Sequence, residues 1–150
     1  MQKKILAISS PGGHWIQLNK ICDGLLQQQA HKIIYVVPSS LFQSKKTKNH
    51  YSVVDVSADN KLMLIPCALQ ILFILLKERP TTIISTGAAP GVLAMIIAKF
   101  LPIKTIWVDS IANVKQVSRS GKMIKNHVDI FLTQWKHLED SNIKYKGAIL

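Results

Sequence analysis

Short β-rich runs alternate along the chain with stretches of helical periodicity. The pattern predicts strands over 5–9, 31–37, 52–56, 81–85, 104–108 and 129–133, and helices over 15–29, 62–79, 90–100 and 117–125. Pro80 and Pro102 follow two of these helices and end them. Strands separated by helices in this order indicate a parallel sheet covered on both faces. Because crossovers are right-handed, the expected fold is a Rossmann-like, doubly wound α/β sheet.

The composition fits one folded domain over residues 1–150. The chain is 48% apolar and 18% charged, and it contains no internal repeat. Its two cysteines, Cys22 and Cys67, have no metal-ligand spacing, so we expect buried thiols in a reduced, cytosolic compartment. The run from Lys3 to Ile8 is typical of a strand and has no signal-peptide layout.

The net charge of +11 indicates an anionic partner. Nucleic acid, anionic lipid headgroups, a phosphorylated substrate and an acidic protein are all compatible with it. No helix-turn-helix, RNA-binding or zinc motif is present, and lipid headgroups explain the same charge. We therefore expect a membrane surface and no nucleic acid as a partner.

A long apolar run, Leu62 to Leu76 (LMLIPCALQILFILL), is the second indication of a membrane. A spanning helix needs about 20 apolar residues, and this one would be about 22 Å long. The run is therefore either a buried helix or a segment that dips into one leaflet. The basic charge favours some membrane contact. The candidate contacts are Leu62, Leu64, Leu72 and Phe73.

The loop after the first strand is the first candidate ligand site. Open parallel sheets bind ligands beyond the carboxyl ends of their strands, where the strand order reverses. Pro11, Gly12, Gly13 and His14 follow strand one here. Paired glycines before a helix allow close backbone approach and suit a phosphate or diphosphate, although the dinucleotide fingerprint is absent. A tight turn without a ligand is the alternative, and His14 is either a base, a phosphate donor or a cap.

A second glycine turn, residues 85–91 (STGAAPG), follows the fourth strand. In the usual strand order 3-2-1-4-5, strands one and four are neighbours across the switch point. The two turns are therefore expected to face each other over one crevice, with Thr86 and Gly87 near the ligand.

The segment after the fifth strand contributes a carboxylate to the same edge. Asp109 could act as a general base, hold His14 in position, or cap a helix, as Ser110 could. Lys115, Arg119 and Lys122 then form either a headgroup-facing surface or an ordinary solvated face. Gln134 and Trp135 end the sixth strand, where an aromatic residue suits a sugar site or a partner interface.

Four landmarks in order resemble a known family: SPGGHWIQL, STGAAPG, DSIANV followed by SRSGKMI, and DIFLTQW. The chain resembles subunits of oligosaccharide, capsular and exopolysaccharide biosynthesis. These are related to the membrane-anchoring subunit of the eukaryotic UDP-GlcNAc transferase for dolichol-linked glycans, and bacterial PssD-type subunits are nearest in length and layout. The resemblance covers essentially the whole chain.

The resemblance implies a split GT-B glycosyltransferase in which this chain is the amino-terminal, acceptor-binding half. A separate subunit would carry the UDP-sugar-binding domain, and the pair would work at the cytoplasmic face of the cell membrane as a peripheral complex. Without that subunit, self-association through the exposed inter-domain face is also compatible with the sequence. The family usually has Glu where Asp109 stands and Arg where Asn113 stands, and it seldom has a residue like Pro11. These departures predict an acceptor, or an acceptor-binding geometry, that differs from the usual one of the family.

The expected reaction is inverting transfer from a UDP-sugar, such as UDP-GlcNAc or a related hexose, to a polyprenyl-diphosphate-linked acceptor. His14 or Asp109 is the predicted base. The predicted acceptor or phosphate ligands are Pro11, Gly12, Gly13, Thr86, Gly87, Ser110 and Asn113. No metal or cofactor is expected beyond the donor substrate, since no Asp-x-Asp motif is present. The alternative function is a non-catalytic nucleotide-binding or scaffold module that recruits a partner to the membrane.

Overall fold

Seven parallel strands form one sheet in the order β3-β2-β1-β4-β5-β6-β7. The structure is a computed structural model and describes residues 2–28, 31–42, 49–57 and 59–149. The strands are β1 (Lys3–Ile8), β2 (His31–Pro38), β3 (His50–Val53), β4 (Thr82–Ser85), β5 (Lys104–Val108), β6 (Ile130–Thr133) and β7 (Lys144–Tyr145). The predicted doubly wound order around strand one is confirmed.

Helices cover both faces of this sheet. They are α1 (Gly13–Leu26), α2 (Ser39–Phe42), α3 (Leu64–Glu78), α4 (Ala88–Ala98) and α5 (Arg119–Ile124), with 3-10 turns at Lys61–Met63 and Lys136–Leu138. The side chains of β1 alternate between the two faces. Ile5 and Ala7 pack against α1, whereas Leu6 and Ile8 belong to the core beneath α3, α4 and α5. This strand is apolar throughout because both of its faces are covered.

The predicted elements are confirmed, with shifts at their ends. The predicted third strand, 52–56, lies at 50–53 in the structure, where it pairs with β2. The short helix α2 and the strand β7 were not predicted. Each is too short for a periodic pattern to develop, and β7 consists of two residues that pair only with β6. Residues 43–50 (QSKKTKNH) are polar and basic, which is typical of a loop, and most of them lie outside the described residues. Residue 29 of the first predicted helix lies outside them as well.

Candidate functional site

Two glycine-containing turns lie side by side at the carboxyl edge of the sheet. The last residues of β1 and β4, Ile8 and Ser85, are paired in register. Residues 9–12 follow β1 and residues 86–87 follow β4, so the chain leaves the sheet twice at adjacent points. The strand order reverses between β1 and β4, which is where open parallel sheets bind ligands. The predicted convergence of the two turns is confirmed.

The first turn presents backbone N–H groups to solvent. Pro11, Gly12 and Gly13 are all exposed. Gly12 has a φ of 83°, a conformation that favours glycine, and it precedes α1 without any side-chain cap. The first N–H groups of α1 therefore have no side-chain acceptor, and the positive end of the helix dipole lies at the turn. An anion is the ligand that such a helix start favours.

His14, in the first turn of α1, is joined to the second turn by two hydrogen bonds. Its Nδ1 lies 2.8 Å from the carbonyl oxygen of Thr86. The Thr86 hydroxyl donates to the carbonyl oxygen of His14 at 2.7 Å. Because a carbonyl oxygen can only accept, Nδ1 carries the proton of the neutral imidazole. Nε2 is thereby left with a free lone pair, which makes it the basic atom at this edge.

Gly87 provides the surface on which the His14 ring lies. A Cβ atom at Gly87 would be 2.5 Å from Cε1 and 2.6 Å from Nδ1 of His14, well inside van der Waals contact. Gly87 also has a φ of 145°, which side-chain-bearing residues rarely adopt. A larger residue here would displace the imidazole from the Thr86 carbonyl. The glycine of the second turn therefore determines where the histidine of the first turn lies.

Gly91 brings α4 close to the sheet behind the second turn. A Cβ atom at Gly91 would lie 2.1 Å from Ser85 Oγ and 3.3 Å from Cζ3 of Trp107. Only glycine permits this approach of helix to strand. The start of α4, like that of α1, has no side-chain cap and no acidic residue in its first turn. Two uncapped helix starts therefore lie at one edge of the sheet.

Asp109 is buried and fully hydrogen-bonded within the chain. Its exposed fraction is 2%. Oδ1 accepts from Trp107 Nε1 at 3.2 Å and from Ser118 Oγ at 2.5 Å. Oδ2 accepts from the Ser118 backbone N–H at 2.9 Å and from Asn113 Nδ2 at 3.3 Å. These contacts, which we call the Asp109 network, close the loop of residues 110–118 onto the sheet. They do not include His14, which Thr86 holds instead. Of the three roles that the sequence left open for Asp109, the structure therefore excludes a hydrogen bond to His14.

A second buried polar group holds the start of the same loop. Gln17 of α1 donates to Ser110 Oγ at 3.1 Å and accepts from the Ile111 backbone N–H at 3.1 Å. Gln134 donates to Gln17 Oε1 at 2.7 Å and to the Asp109 carbonyl at 3.0 Å. Trp135 Nε1 donates to the Ile111 carbonyl at 2.8 Å. Gln17 was not predicted. The sequence could have indicated it in one way: Gln17 is a polar residue next to Leu18, on the side of α1 that faces the core.

The structure therefore separates the predicted site residues into two groups. Pro11, Gly12 and Gly13 are exposed, and His14 and Asn113 are half-buried. Thr86, Asp109, Ser110 and Gln134 are at most 7% exposed, and each is engaged by hydrogen bonds within the chain. The surface position predicted for Gln134 at a partner interface is wrong, because its side chain lies inside the domain. Thr86 and Ser110 position backbone instead of facing the crevice.

One face of α3 is buried, and the opposite face exposes large apolar side chains. Cys67, Ile71, Ile74 and Leu75 lie in the core. Five large apolar side chains are 54–79% exposed, namely Ile65, Leu69, Phe73 and Leu76 of α3 and Leu62 of the 3-10 turn before it. We call these five residues the α3 apolar stripe. Leu64 and Leu72 are half-buried between the two sets. The apolar run thus contributes one face to the core and exposes the other. Of the predicted membrane contacts, Leu62 and Phe73 are on the exposed side, where Ile65, Leu69 and Leu76 are exposed as well.

The helices on this side of the sheet form a basic outer surface. Arg119 and Lys122 of α5 are exposed, and Met123 beside them is 66% exposed. Lys115, in the loop that precedes α5, is also exposed. Glu78 is the one acidic residue within α3, α4 and α5. Among the helices that the structure describes, none combines the length and apolar character needed to cross a bilayer. The same described residues bring together no three side chains of the kinds that ligate metals.

Comparison with known sequences identifies a family and individual relatives. A family model, "Oligosaccharide biosynthesis protein Alg14 like", matches residues 63–149. The "UDP-N-acetylglucosamine transferase subunit ALG14" of Cryptococcus neoformans is 46% identical over 31% of this chain and 21% of its own length. The subunit of that name from Schizosaccharomyces pombe is 41% identical over 46% of this chain and 34% of its own. The matches thus span about a third or less of these relatives.

Solved structures share the fold at low sequence identity. MurG of Acinetobacter baumannii superposes with a TM-score of 0.78 and 10% identity, over 99% of this chain and 46% of its own. The UDP-N-acetylglucosamine 2-epimerase of Rickettsia bellii superposes with a TM-score of 0.74 and 16% identity, over 99% of this chain and 45% of its own. The domain therefore has the fold of one half of the GT-B glycosyltransferases and related epimerases.

Proposed function

Since the chain belongs to the Alg14-like family of oligosaccharide biosynthesis proteins, we propose that it is the acceptor-binding subunit of a two-component glycosyltransferase. The reaction is transfer of a sugar, GlcNAc or a related hexose, from a UDP-sugar to a polyprenyl-diphosphate-linked acceptor. A second subunit supplies the UDP-sugar-binding domain. The names of the fungal relatives and the half-chain match to MurG support this division of labour.

The placement of His14 is the observation on which the proposal rests. Its Nδ1 is held by the Thr86 carbonyl, and its ring lies against Gly87. Nε2 makes no hydrogen bond to any described residue, so its lone pair is available to an acceptor hydroxyl. Inverting transfer needs a base on the acceptor side that removes this proton as the hydroxyl attacks the anomeric carbon. We assign that role to His14.

The first glycine turn is the proposed site of the acceptor diphosphate. Pro11, Gly12 and Gly13 are exposed beside His14, and no side chain caps α1. Backbone N–H groups and the positive helix end would stabilise a diphosphate there. The start of α4 at Gly87 adds a second positive helix end at the same edge. The acceptor would thus lie with its phosphates on the turns and its sugar hydroxyl near Nε2.

Asp109 has a positioning role in this proposal. Four donors occupy its two oxygens, so it has no free acceptor position for a substrate proton. It holds the loop that presents Lys115 and leads into Arg119. The family usually has glutamate at this position, and the shorter side chain of Asp109 fits the compact Asp109 network. Of the two candidate bases, the geometry favours His14.

The α3 apolar stripe is the proposed membrane contact. Monomeric proteins seldom expose a continuous row of large apolar side chains unless the row binds a partner or a membrane. The row lies on a surface with exposed cations and a single acidic residue in its helices, which suits an anionic leaflet. We place the complex at the cytoplasmic face of the cell membrane as a peripheral protein, where a lipid-linked acceptor would reach the site.

Sugar transfer with and without the partner tests the proposal. The assay offers a panel of UDP-sugars and a polyprenyl-diphosphate-GlcNAc acceptor to the chain alone, to the product of a neighbouring gene alone, and to the pair. Activity is expected only in the pair. Full activity from the single chain would contradict the two-component assignment. Binding of the partner without any transfer would favour a non-catalytic module that recruits the partner to the membrane.

A pair of His14 variants isolates the base. In His14→Asn the amide nitrogen lies near the position of Nδ1 and still donates to Thr86, but no atom replaces Nε2. We expect transfer to fall about 10²- to 10⁴-fold with an unchanged melting temperature. His14→Ala also loses the link between the turns and should be less stable. Retention of activity in a folded His14→Asn protein would exclude His14 as the base.

A further inference from the structure

An apolar groove lies at the end of the domain remote from the glycine turns. It encloses about 470 Å³ between the carboxyl ends of α3 and α4. Its apolar walls are Leu75, Leu76, Pro80, Leu101, Pro102 and Ile103. A volume in this range suits a small apolar ligand or one segment of a hydrocarbon chain. The groove faces the amino ends of the strands, so it is separate from the proposed acceptor site.

Arg79 lines the groove, and its guanidinium has no partner among the described residues. The helix α3 ends at this residue, and its backbone N–H bonds the Leu75 carbonyl at 2.9 Å. The side chain is exposed and has neither a hydrogen bond nor an ion pair to any described residue. The neighbouring Glu78 is already engaged by Lys4 and Tyr51. Arg79 is therefore a free cation beside an apolar cavity.

The backbone at Arg79 has a left-handed conformation, which glycine adopts readily and arginine does not. Its φ of 49° and ψ of 56° are left-handed, and helices that end this way usually have glycine there. Arginine at this position lowers stability relative to glycine. A strained residue with an unpaired functional group is a reason to look for a ligand. Since a cation lies beside an apolar groove, a ligand that fits both would have an anionic end and an apolar body.

The groove is continuous with the proposed membrane contact. Leu76 belongs both to the groove wall and to the α3 apolar stripe. Phe100, next to the wall residue Leu101, is 83% exposed. A lipid whose chain left the leaflet along α3 would enter the groove with the Arg79 cation at its polar end.

We propose that this groove binds one anionic phospholipid. An acyl chain occupies the apolar walls, and the phosphate pairs with Arg79. The inference rests on the proposed membrane contact of the same helix, but not on sugar transfer. The contact between Arg79 and the phosphate would make the site selective for anionic lipids. This selectivity would add to the general attraction between a basic surface and an anionic membrane.

Binding of a short-chain lipid below its micelle concentration tests the proposal. Monomers can fill a groove, but they do not form a surface for the α3 apolar stripe. Calorimetric titration of the full-length chain with dihexanoyl-phosphatidylglycerol should show saturable binding of one molecule per chain. Dihexanoyl-phosphatidylcholine, which has the same chains but a zwitterionic headgroup, should bind about fivefold more weakly.

Arg79→Gly is the decisive variant because it removes the cation and relieves the strained helix end. Its melting temperature should rise, while phosphatidylglycerol affinity falls about fivefold to that of phosphatidylcholine. Arg79→Lys should retain most of the preference. Lys20→Gln, which removes an exposed cation from α1 on the other face, should change neither affinity.

Three results would overturn the proposal: no saturable binding, equal affinity for the two lipids, or an unchanged preference in Arg79→Gly. None of them bears on transfer by the pair. Conversely, failure of transfer with intact lipid selectivity would overturn the transferase assignment and leave the groove site standing.

Discussion

The imidazole of His14 lies directly on the backbone of Gly87, at a distance that leaves no room for a β-carbon. The 2.5 Å approach of such an atom to Cε1 makes glycine obligatory there as long as the ring keeps its hydrogen bond to Thr86. The two residues belong to different turns, after strands that are neighbours in the sheet. The placement of the proposed base thus depends on a residue that has no side chain.

Gly87→Ala should therefore impair both the fold and the site. The added methyl group meets the His14 ring and the backbone has a φ of 145°, so we expect a loss of about 1–3 kcal/mol in the free energy of unfolding. Transfer by the pair should fall at least tenfold, even at temperatures where the variant is folded, because the imidazole is displaced. Urea denaturation and the transfer assay measure the two effects.

Gly24→Ala is the matched control for that substitution. Gly24 lies within α1, and a Cβ atom there would meet nothing within 4 Å. Alanine is the better helix former, so stability should rise by about 0.5–1 kcal/mol with no change in transfer. If both alanine variants behaved alike, steric contact with His14 would not be the cause.

Asp109→Asn should destabilise the protein without altering the pH dependence of transfer. An amide cannot accept all four hydrogen bonds of the Asp109 network, so we expect a loss of about 2–4 kcal/mol. Ser118→Ala should lower the free energy of unfolding by part of that amount, because it removes one of the four hydrogen bonds. A double-mutant cycle of Asp109→Asn and Ser118→Ala should show coupling of about 1 kcal/mol or more. Asp59→Asn, at an exposed position, should be neutral within about 0.5 kcal/mol. A pH–rate profile that lost its acidic limb in Asp109→Asn would return the base role to this residue.

Phe73→Ser should weaken membrane binding and leave stability almost unchanged. The side chain is 64% exposed, so the free energy of unfolding should change by no more than about 0.5 kcal/mol. Affinity for vesicles with phosphatidylglycerol should fall about tenfold, since a Phe side chain that enters lipid contributes roughly 1.5–3 kcal/mol. Co-sedimentation measures this affinity.

Ile16→Ser provides the control on the opposite face of the sheet. Ile16 of α1 is 60% exposed, nearly as much as Phe73. Its replacement should not affect co-sedimentation, because α1 lies away from α3. Equal losses in the two variants would show that vesicle binding does not depend on the α3 apolar stripe.

The two buried thiols should make stability fall at alkaline pH. Burial raises the pKa of Cys22 from 9.0 to about 12, and burial also raises the pKa of Cys67 from 9.0 to about 11. Below pH 9 both thiols are protonated in the folded and unfolded states. As the pH rises above 9 the unfolded chain releases these protons first, so stability decreases until the folded pKa values are reached.

Denaturation at pH 8 to 11 tests this expectation. Each thiol contributes a slope of up to about 1.4 kcal/mol per pH unit in that window. Cys22→Ala and Cys67→Ala should each reduce the slope, which separates the thiols from the lysines that titrate in the same range. A slope unaffected by either substitution would mean that the thiols are not protected in the folded state.

The sequence was sufficient to predict the order of the strands and helices and the position of the main strands in the sheet. Alternation of β-rich and helical segments is a local property. Right-handed crossovers, together with the usual strand order 3-2-1-4-5, then predicted which strands are neighbours. The positions of the turns after β1 and β4 followed directly, as did the proximity of these two turns at one edge of the sheet. The elements that escaped prediction, α2 and β7, are too short to have a period of their own.

The roles of the polar residues depended on contacts that no local pattern contains. Asp109 and Thr86 lie in turns after strands, and turn residues of these types can either face a ligand or satisfy the backbone. The partners that decide between these roles are distant in sequence: Thr86 is 72 residues from His14, and Gln134 is 117 residues from Gln17. Only the packed structure shows that the buried group is already satisfied.

The sequence by itself thus determined the fold, the switch point and the apolar character of α3, because each follows from periodicity and chain order. The tertiary structure decided three further matters: which side of α3 faces outward, which nitrogen of His14 is free, and that Asp109 is enclosed. Each depends on a residue that is distant in sequence and becomes a neighbour only in the folded chain. A local pattern cannot predict such contacts, and these contacts decide whether a side chain is buried, hydrogen-bonded or free.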